Sequence, residues 1–540
     1  MRPMRLPLLL SGFMATGKSA VGRLLAEKSG AHFVDLDTEI VARRNKSIAE
    51  IFASEGESEF RSLERKVLEE EMSRAQKRKT VMSLGGGALL DPDFRIDTLH
   101  RSIVVTLEAS PSEILRRVAD QDGDSGSRPL LAGPDPQATV SKLLQERAVC
   151  YAEAHGRVQT DGRQPEDIAR TVEQIWNQNP VAVASGMGTY NVLIGSNLIA
   201  AHLPHLLGET SGVLLVTDTN VDPLHGDKAR AGLAALDVKN ATTVLTPGEE
   251  HKDLQSLSAI YQTAFDAGMD RSSTFVGLGG GVTTDMTGFA AATWVRGVRW
   301  VGLPTTLLAM VDASVGGKTA VDFHTAKNSV GAFWQPAGVI CDIETLQTET
   351  DRQYIGALSE VVKTALIGDA ELFELLEKNA GAILERQPEV IQEIVERCVR
   401  VKARVVALDA RESGVRATLN LGHTIGHALE SSGGYSDLTH GEAVSLGLVA
   451  ALRLGELKGH TKPELTHRVL RLLKSLRMPH RLSRDDLEKC TALLGHDKKR
   501  SGASIRFVYA GDVGRVFTES IEISDLIQNT PALADTNTKT

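Results

Sequence analysis

Cysteine is scarce in this chain: four in 540 residues, Cys150, Cys341, Cys398 and Cys490, scattered with no paired spacing. That excludes a disulfide framework or a thiolate zinc site, and it fits a reducing cytoplasm. Aromatic residues are few, at 4%, within an otherwise ordinary globular composition of 42% hydrophobic and 24% charged residues. Positive charge is not in excess. The net charge is −9, so no global basic field invites nucleic acid, and the short basic cluster Arg74 to Lys79 reads as a solvated helix end. No apolar run is long enough to span a bilayer. Arg2 and Arg5 flank an apolar run that enters a glycine loop with no cleavage site, so that run reads as a first buried strand rather than a secretory signal. No internal repeat is visible.

What is present is length enough for three to four domains, each with its own core. Residues 1–176 alternate strands and helices: strands at Leu6 to Leu10, His32 to Leu36, Thr80 to Leu84 and Arg101 to Leu107, with helical spacing over Ser19 to Ser29. Such alternation predicts an α/β domain, a parallel sheet with helices on both faces. Gln121 to Pro136, rich in Gly, Asp, Ser and Pro, reads as a mobile loop. Asn177-Gln-Asn-Pro180 stops the helix ending near Trp176, so 177–184 is read as a linker. From 185 to 345 strands recur at Val213 to Thr217, Phe275 to Leu278, Trp300 to Leu303 and Val339 to Asp342, predicting a second α/β domain. Residues 346–528 read as mainly helical, with a strand-like interruption at Ser504 to Tyr509, and 529–540 as a disordered tail.

Gly12-Phe-Met14-Ala15-Thr16-Gly17-Lys18-Ser19-Ala20 is the phosphate-cradling pattern, placed between strand and helix. Its four fixed positions are expected by chance about 0.02 times in a chain of this length and composition. Main-chain N–H groups there face phosphates, Lys18 neutralises the terminal ones, and Ser19 holds Mg²⁺. Asp35-Leu-Asp37 closes the next strand, so alternation puts both carboxylates on one face, one for the Mg²⁺ shell and one for a substrate hydroxyl. Phe60-Arg61, Gly85-Gly86-Gly87, Arg128-Pro-Leu-Leu and Glu146-Arg147 add three arginines and a close-approach backbone. Taken singly, such arginines are surface residues more often than ligands.

Together these motifs resemble the shikimate kinases in identity, order and spacing over roughly residues 5–175. The resemblance implies ATP- and Mg²⁺-dependent phosphorylation of shikimate to shikimate 3-phosphate. Asp37, Arg61, Gly86 and Arg147 would hold the substrate, Asp37 orienting the attacking oxygen, and Ser19 with Asp35 would serve Mg²⁺. Arg128 would close over the transferring phosphate, as expected when catalysis is positioning and charge neutralisation.

A second chemistry lies late in the chain. Asn420-Leu-Gly-His423-Thr-Ile-Gly-His427 is followed by His440-Gly-Glu442. On one helix, His423 and His427 would share a face with Asn420 a turn earlier. Glu360 and Lys363 lie one helical turn apart in Glu360-Val-Val-Lys363. A carboxylate with two imidazoles leaves positions open for substrate, as catalytic zinc requires, so Glu360, His423 and His440 are the expected ligands, with His427 free for proton transfer or substrate. Upstream, Gly277-Leu-Gly279-Gly280-Gly281-Val-Thr-Thr-Asp285 follows a strand and opens a helix, which suits a dinucleotide pyrophosphate although it is not the G-x-G-x-x-G fingerprint. Asp218, ending a strand, is a candidate for ribose hydroxyls, and Pro247-Gly-Glu249-Glu-His-Lys252 for the adenosine edge. Asp312, Lys318, Lys327-Asn328, Lys402, Glu412 and Arg416 add a dense polar set.

These motifs resemble 3-dehydroquinate synthase across roughly residues 185–525, departing from the commoner spelling at Thr283-Thr284 and Asp437 to Thr439. The resemblance implies an NAD⁺- and metal-dependent (Zn²⁺ or Co²⁺) conversion of 3-deoxy-D-arabino-heptulosonate 7-phosphate to 3-dehydroquinate with phosphate release. NAD would sit on Asp218, Asn220, Glu249, Lys252, Gly279, Gly280, Gly281, Asp285, Thr305, Thr306, Lys318 and Lys327. The substrate would meet Arg296, Asp312, Asn328, Lys363, Lys402, Arg416, Asn420, His427 and Lys499. Of these Lys318, Lys363, Lys402, Arg416, Asn420 and His427 would act in catalysis. An arginine at position 296 reaching from a neighbouring subunit favours a homodimer. The two activities are non-consecutive steps of one pathway, so no direct handover is implied. Rival readings are a polyol dehydrogenase, a related sugar-phosphate cyclase, and a nucleotide-binding regulator. An uncharged polyol needs no ring of cations like Lys318, Lys402, Arg416 and Lys499, which argues against the first.

Overall fold

The computed structural model describes residues 6–121, 135–324, 326–409, 414–432, 438–501 and 504–535, with side chains for all of these but 121, 432 and 493–501. Its contacts divide the chain into two compact units. The first runs through Ala184 and takes in Gly188–Asn191. Its sheet comprises β1 (Leu8–Ser11), β2 (His32–Asp35), β3 (Thr80–Ser83), β4 (Ile103–Glu108) and β5 (Gly156–Gln159), in the order β2-β3-β1-β4-β5. Every pairing is parallel. Alternation sends Leu9, Met82 and Val104 to one face, where they meet Phe60, Leu68 and Leu99. Leu8, Leu10, Val81 and Val105 point the other way, onto Val21, Leu25, Ile168, Val172 and Trp176. Helices therefore cover both faces, as the alternation predicted.

Two expectations change here, and a third cannot be compared. The supposed linker 177–184 is not one: the Pro165–Gln178 helix stops at Asn179 in the left-handed region, but the chain then enters β6 (Val181–Ser185), all five residues buried. Ala182 and Ala184 belong to the core of the first unit. Asn179-Pro180 is a helix stop followed at once by a strand, because Val181 and Val183 favour extended backbone and all four residues of Val-Ala-Val-Ala are buried. Asp37 is not on a strand either, since β2 ends at Asp35 and the Leu36–Arg44 helix begins there, with Asp35 accepting from Thr38 N–H as its N-cap. The loop predicted between Gln121 and Pro136, with Arg128, lies outside the described residues.

The hairpin of β6 and β7 (Gly188–Gly195) leads into β8 (Gly212–Asp218), β9 (Lys239–Leu245), β10 (Thr274–Gly279), β11 (Arg299–Pro304), β12 (Lys318–Phe323), β13 (Ala326–Phe333) and β14 (Gly338–Asp342). Seven strands form one sheet, in the order β6-β7-β14-β11-β10-β8-β9, parallel from β14 to β9. β12 and β13 pair separately as an antiparallel ribbon. Beyond Asp351 the second unit is helical. The Asp351–Gly368 and His440–Leu457 helices are apolar nearly all round and carry twelve and thirteen buried residues, which makes them its central pair. They cross closely because both contacts are glycine: a Cβ on Gly441 would stand 2.2 Å from the Gly356 carbonyl oxygen. The late strand is present as β15 (Ser504–Asp512), paired with β16 (Arg515–Glu522). The tail does not start at 529: Ile523–Asn529 is helical, Thr530–Leu533 makes a further turn, and Thr530 and Leu533 are buried. Leu526 and Leu533 give that stretch apolar anchors.

Candidate active sites

In the first unit, the segment after β1 folds back on itself. Gly12 sits at φ 130° and a Cβ there would lie 2.2 Å from the Leu107 carbonyl oxygen, so only glycine fits. Gly17 (φ 94°) caps the Lys18–Ser29 helix and leaves its first N–H groups open. Lys18 Nζ donates to the carbonyls of Gly12 and Phe13 at 2.9 and 2.7 Å, lying across the loop where phosphates would replace those acceptors. Ser19 Oγ donates to Asp35 Oδ2 at 2.6 Å, which joins the two groups expected at Mg²⁺.

Around the triple glycine the other residues converge. A Cβ on Gly85 would meet Glu64 and Asp37 carboxylate oxygens at 2.3 and 3.2 Å, and one on Gly87 the Arg61 guanidinium at 2.5 Å. Arg147 Nη1 and Tyr151 Oη both donate to the Gly86 carbonyl, at 3.2 and 2.7 Å. Asp37 opens to the cleft, yet the protein around its carboxyl excludes enough water, with Asp35 adjoining, to raise it above the usual carboxylate range. Glu64 was not foreseen. It is buried, pairs with Arg61 at 2.7 Å, and burial raises its carboxyl. A lone glutamate in a charged helix gives no sequence signal for that.

In the second unit, β10 runs into Gly280, the N-cap of the Gly281–Thr293 helix, as the glycine run predicted. Thr305 N–H donates to the Gly279 carbonyl, and Thr306 lies 3.4 Å from where a Gly280 Cβ would be. Lys252 Nζ reaches Asp285 Oδ2 (2.6 Å) and Asn328 Oδ1 (2.5 Å), so those three expected contacts form one cluster. Burial pushes the Asp285 carboxyl up to about 6 against the pull of Lys252. Asp218 ends β8, but its Oδ1 accepts from Asn220 and Val221 N–H, and Thr283 Oγ1 donates to Oδ2. Thr283, a departure from the usual spelling, thus serves Asp218. Glu249 stands in a turn after Gly248 at φ 114°. Lys318 opens β12 and is exposed, and Arg296 is exposed at φ 69°. The Lys499 side chain lies outside those described.

Glu360, His423 and His440 converge, each offering a ligand atom within 4.8 Å of the others. Glu360 Oε1 lies 3.6 Å from His423 Nε2 and 3.8 Å from His440 Nε2. That oxygen is fully buried with no hydrogen-bond partner among the described residues, while Oε2 pairs with Lys363. An orphaned carboxylate oxygen facing two imidazoles at near-bonding range fits a cation's donor set. Asn420 does not share the histidine helix. It ends a separate turn (Val415–Asn420), and Gly422 at φ 80° turns the chain before the helix begins at His423. A Gly422 Cβ would stand 2.9 Å from Leu448 N, so the break is imposed by packing on the next helix. His427 follows one turn on, its ring 5.1 Å from that of His423.

Lys402 Nζ donates to Asp312 Oδ1 at 2.6 Å, and Arg416 Nη2 to the Gly316 carbonyl at 3.4 Å. Burial opposes ionisation of Asp312, but Lys402 and Lys363 outweigh it and hold its carboxyl low. Burial would likewise depress the Lys363 ammonium, yet Glu360 and Asp312 raise it, whereas burial prevails at Lys402 and lowers it. The His423 imidazole falls to about 3 through burial, then Lys363. His440 rises to about 9 despite burial, because Glu360 and Glu430 favour its cation. Glu430 is the second residue missed. It is buried, accepts from Lys327 at 2.9 Å and lies 3.3 Å from His440 Nδ1. Lys327 thus turns to the metal-side helix.

Fold and sites define a P-loop phosphotransferase joined to a metal-centred enzyme with a dinucleotide-type strand–glycine–helix turn. Comparison with known proteins makes this specific. Residues 14–176 match the shikimate kinase family model, 242–356 that of the 3-dehydroquinate synthase N-terminal part, and 357–500 that of its C-terminal part. The 3-dehydroquinate synthase of Hydrogenovibrio crunogenus is 40% identical over 354 residues, 65% of this chain and 98% of that protein. That of Geobacter metallireducens is 41% identical over 336 residues, 62% of this chain and 93% of the relative. The solved structure of ValA, a 2-epi-5-epi-valiolone synthase from Streptomyces hygroscopicus with NAD⁺ and Zn²⁺ bound, is 28% identical over 64% of this chain and 96% of its own, with a TM-score of 0.57. A 2-deoxy-scyllo-inosose synthase structure, 22% identical over 65% of this chain and 99% of its own, shares the fold with a TM-score of 0.60. The chain belongs to the 3-dehydroquinate synthase family and carries a shikimate kinase ahead of it. It is a bifunctional enzyme of the shikimate pathway, a kinase and a carbon–oxygen lyase acting on small molecules.

Proposed function

We propose that the residues brought together in each unit carry these two reactions. In the kinase, the open N–H groups after Gly12 and Lys18 hold the ATP phosphates, and Ser19 with Asp35 holds Mg²⁺. Arg61, Arg147 and the Gly86 backbone fix shikimate, so that its hydroxyl meets Asp37. A carboxyl raised by its surroundings suits a group that accepts the hydroxyl's proton as the phosphoryl bond forms. Arg128 would close over the phosphates.

In the synthase, Glu360, His423 and His440 hold a divalent cation, Zn²⁺ or Co²⁺, and NAD⁺ lies along the Gly279–Gly281 turn with Thr305, Thr306, Lys252 and Asp285. When bound, the cation polarises a substrate hydroxyl and NAD⁺ takes up and returns a hydride. Buried Lys363, Lys402 and Arg416, with half-buried Asp312 paired to Lys402, then form a mainly cationic frame for the substrate's carboxylate and hydroxyls. His427, exposed beside the metal ligands, receives or relays a proton. Arg296 and Lys499 meet the phosphate, Arg296 from the neighbouring subunit of a homodimer. Four buried free thiols suit the cytoplasm.

The observation that carries the synthase reading is the orphaned Glu360 oxygen facing two imidazoles beside buried cations. The intact chain should release phosphate from the heptulosonate phosphate without net NADH and form ADP from shikimate. After chelation, and in His423→Ala, phosphate release should fall by at least about 10³-fold while ADP formation stays within twofold. Steady NADH accumulation would instead make the second unit a net dehydrogenase.

A further inference from the structure

Where the two central helices cross, a cavity of about 540 Å³ opens beside Gly356. Its floor is apolar, with Ile355, Leu446 and Met478, and its rim carries Arg352, Arg477, His480 and Arg481 against one carboxylate, Glu442. Arg352 already neutralises that carboxylate, Nε to Oε1 at 2.9 Å and Nη2 to Oε2 at 2.8 Å. Arg477 and Arg481 are exposed and make no side-chain hydrogen bond or ion pair among the described residues. Local charge is therefore positive on a chain whose net charge is −9.

The backbone fixes where Arg477 stands. The Pro463–Ser475 helix ends with Met478 N–H donating to Leu473 O and Arg477 N–H to Lys474 O, the closing motif whose left-handed position ordinarily holds glycine. Arginine occupies it here, at φ 59°. Arg477 therefore ends the helix, as Arg386 does at φ 54° after Ala380–Leu384, and at the same time lines the cavity.

We propose that this pocket binds a small organic anion carrying a phosphate and a carboxylate on a carbon ring, and that its occupancy slows the synthase. The rim supplies charge-assisted donors for two anionic groups, and the floor takes the ring. Coupling runs through Arg352. Its partner Glu442 closes the capping box with Thr439 at the start of the helix whose first residue is His440. An anion on Arg352 competes with Glu442 and loosens that helix start, while Gly356 on the floor lies one turn before Glu360. This coupling rests on the metal-ligand reading above; binding does not. The kinase product, shikimate 3-phosphate, has the required chemistry and serves as probe.

Calorimetric titration of the intact chain with shikimate 3-phosphate should show two binding events, one in the kinase site and one in the pocket. Arg477→Ala/Arg481→Ala should retain one. Saturating probe should slow phosphate release at least threefold in the parent chain and leave the variant's rate, otherwise normal, unchanged. A single event in both proteins overturns the site, and an unaltered rate overturns the coupling. Inorganic phosphate binding there as tightly overturns the part given to the apolar floor. Absence of cyclisation in the parent without probe would fall on the functional reading instead, since the binding count needs no turnover.

Discussion

Glu430 sits behind His440 as a carboxylate behind a metal-binding imidazole, 3.3 Å from Nδ1, while its other oxygen accepts from Lys327. Such a partner fixes which ring nitrogen is free and raises its basicity, and its loss typically costs 10–100-fold in metal affinity. Glu430→Gln should therefore weaken Zn²⁺ binding about 10–100-fold in a competition titration against a chelator, with kinase turnover untouched. Unchanged affinity would leave Glu430 serving Lys327 alone. Glu349 carries a second residue-scale consequence. Its Oε2 accepts from Leu307 N–H beside the Thr305-Thr306 turn, and burial pushes its carboxyl up to about 7, Leu307 N–H and Arg386 opposing only in part. Between the unfolded value of 4.5 and about 7 the folded chain keeps a proton that the unfolded chain has lost. Stability of the second unit must then fall as pH rises through that window. Glu349→Gln keeps an acceptor for Leu307 and removes the ionisation, so it should flatten the fall and gain on the order of 2 kcal/mol at pH 8 in denaturant titrations. Neither residue was legible in the sequence. Residues that touch backbone or loop glycines, such as Gly12, Lys18 and Asp35, announce themselves by fixed local spacing; Glu430, Glu349 and Glu64 acquire their roles only from burial.

Elements were legible where they carried long apolar runs. β8, β10, β11 and β14, buried along their length except at Arg299, lie within one or two residues of the predicted strands. β9 and β13 were not seen, because mixed or exposed strands such as Lys-Asn-Ala-Thr-Thr carry neither an apolar run nor a clear alternation. The histidine segment shows the same limit in miniature: the spacing of His423 and His427 was read correctly, but not the break at Gly422 that tertiary packing imposes on Asn420. The central helix crossing depends on a glycine pair distant in sequence. A methyl on Gly441 would meet the Gly356 carbonyl carbon at 2.3 Å as well as its oxygen, both backbone, so the two helices must part. One helix carries Glu360 and the other begins at His440. Gly441→Ala should therefore destabilise the second unit by about 1–3 kcal/mol and lower cyclisation at least tenfold even at temperatures where the variant is folded by circular dichroism. Activity equal to the parent's would mean that the metal ligands tolerate a wider crossing.

At the scale of the whole chain, the division into two units was legible from two unrelated motifs, but its position was not. Polar Asn177-Gln-Asn-Pro180 marked a helix end, and the four small apolar residues after it did not announce a buried strand. Ala182 and Ala184 lie in the core that also holds Leu9 and Val104, and Asn191 Nδ2 donates to the carbonyls of Ala154 and His155. The first unit is thus completed by residues beyond the kinase-like pattern, through Asn191. A kinase fragment ended after Gln178 lacks them, whereas one ended after Gly195 keeps them. The shorter fragment should bind ATP through the same loop yet melt about 2–8 °C lower, the shift that ~1–2 kcal/mol gives in a unit of this size. Matching melting curves would show that β6 contributes nothing to the kinase core and would restore 177–184 as a passive connector.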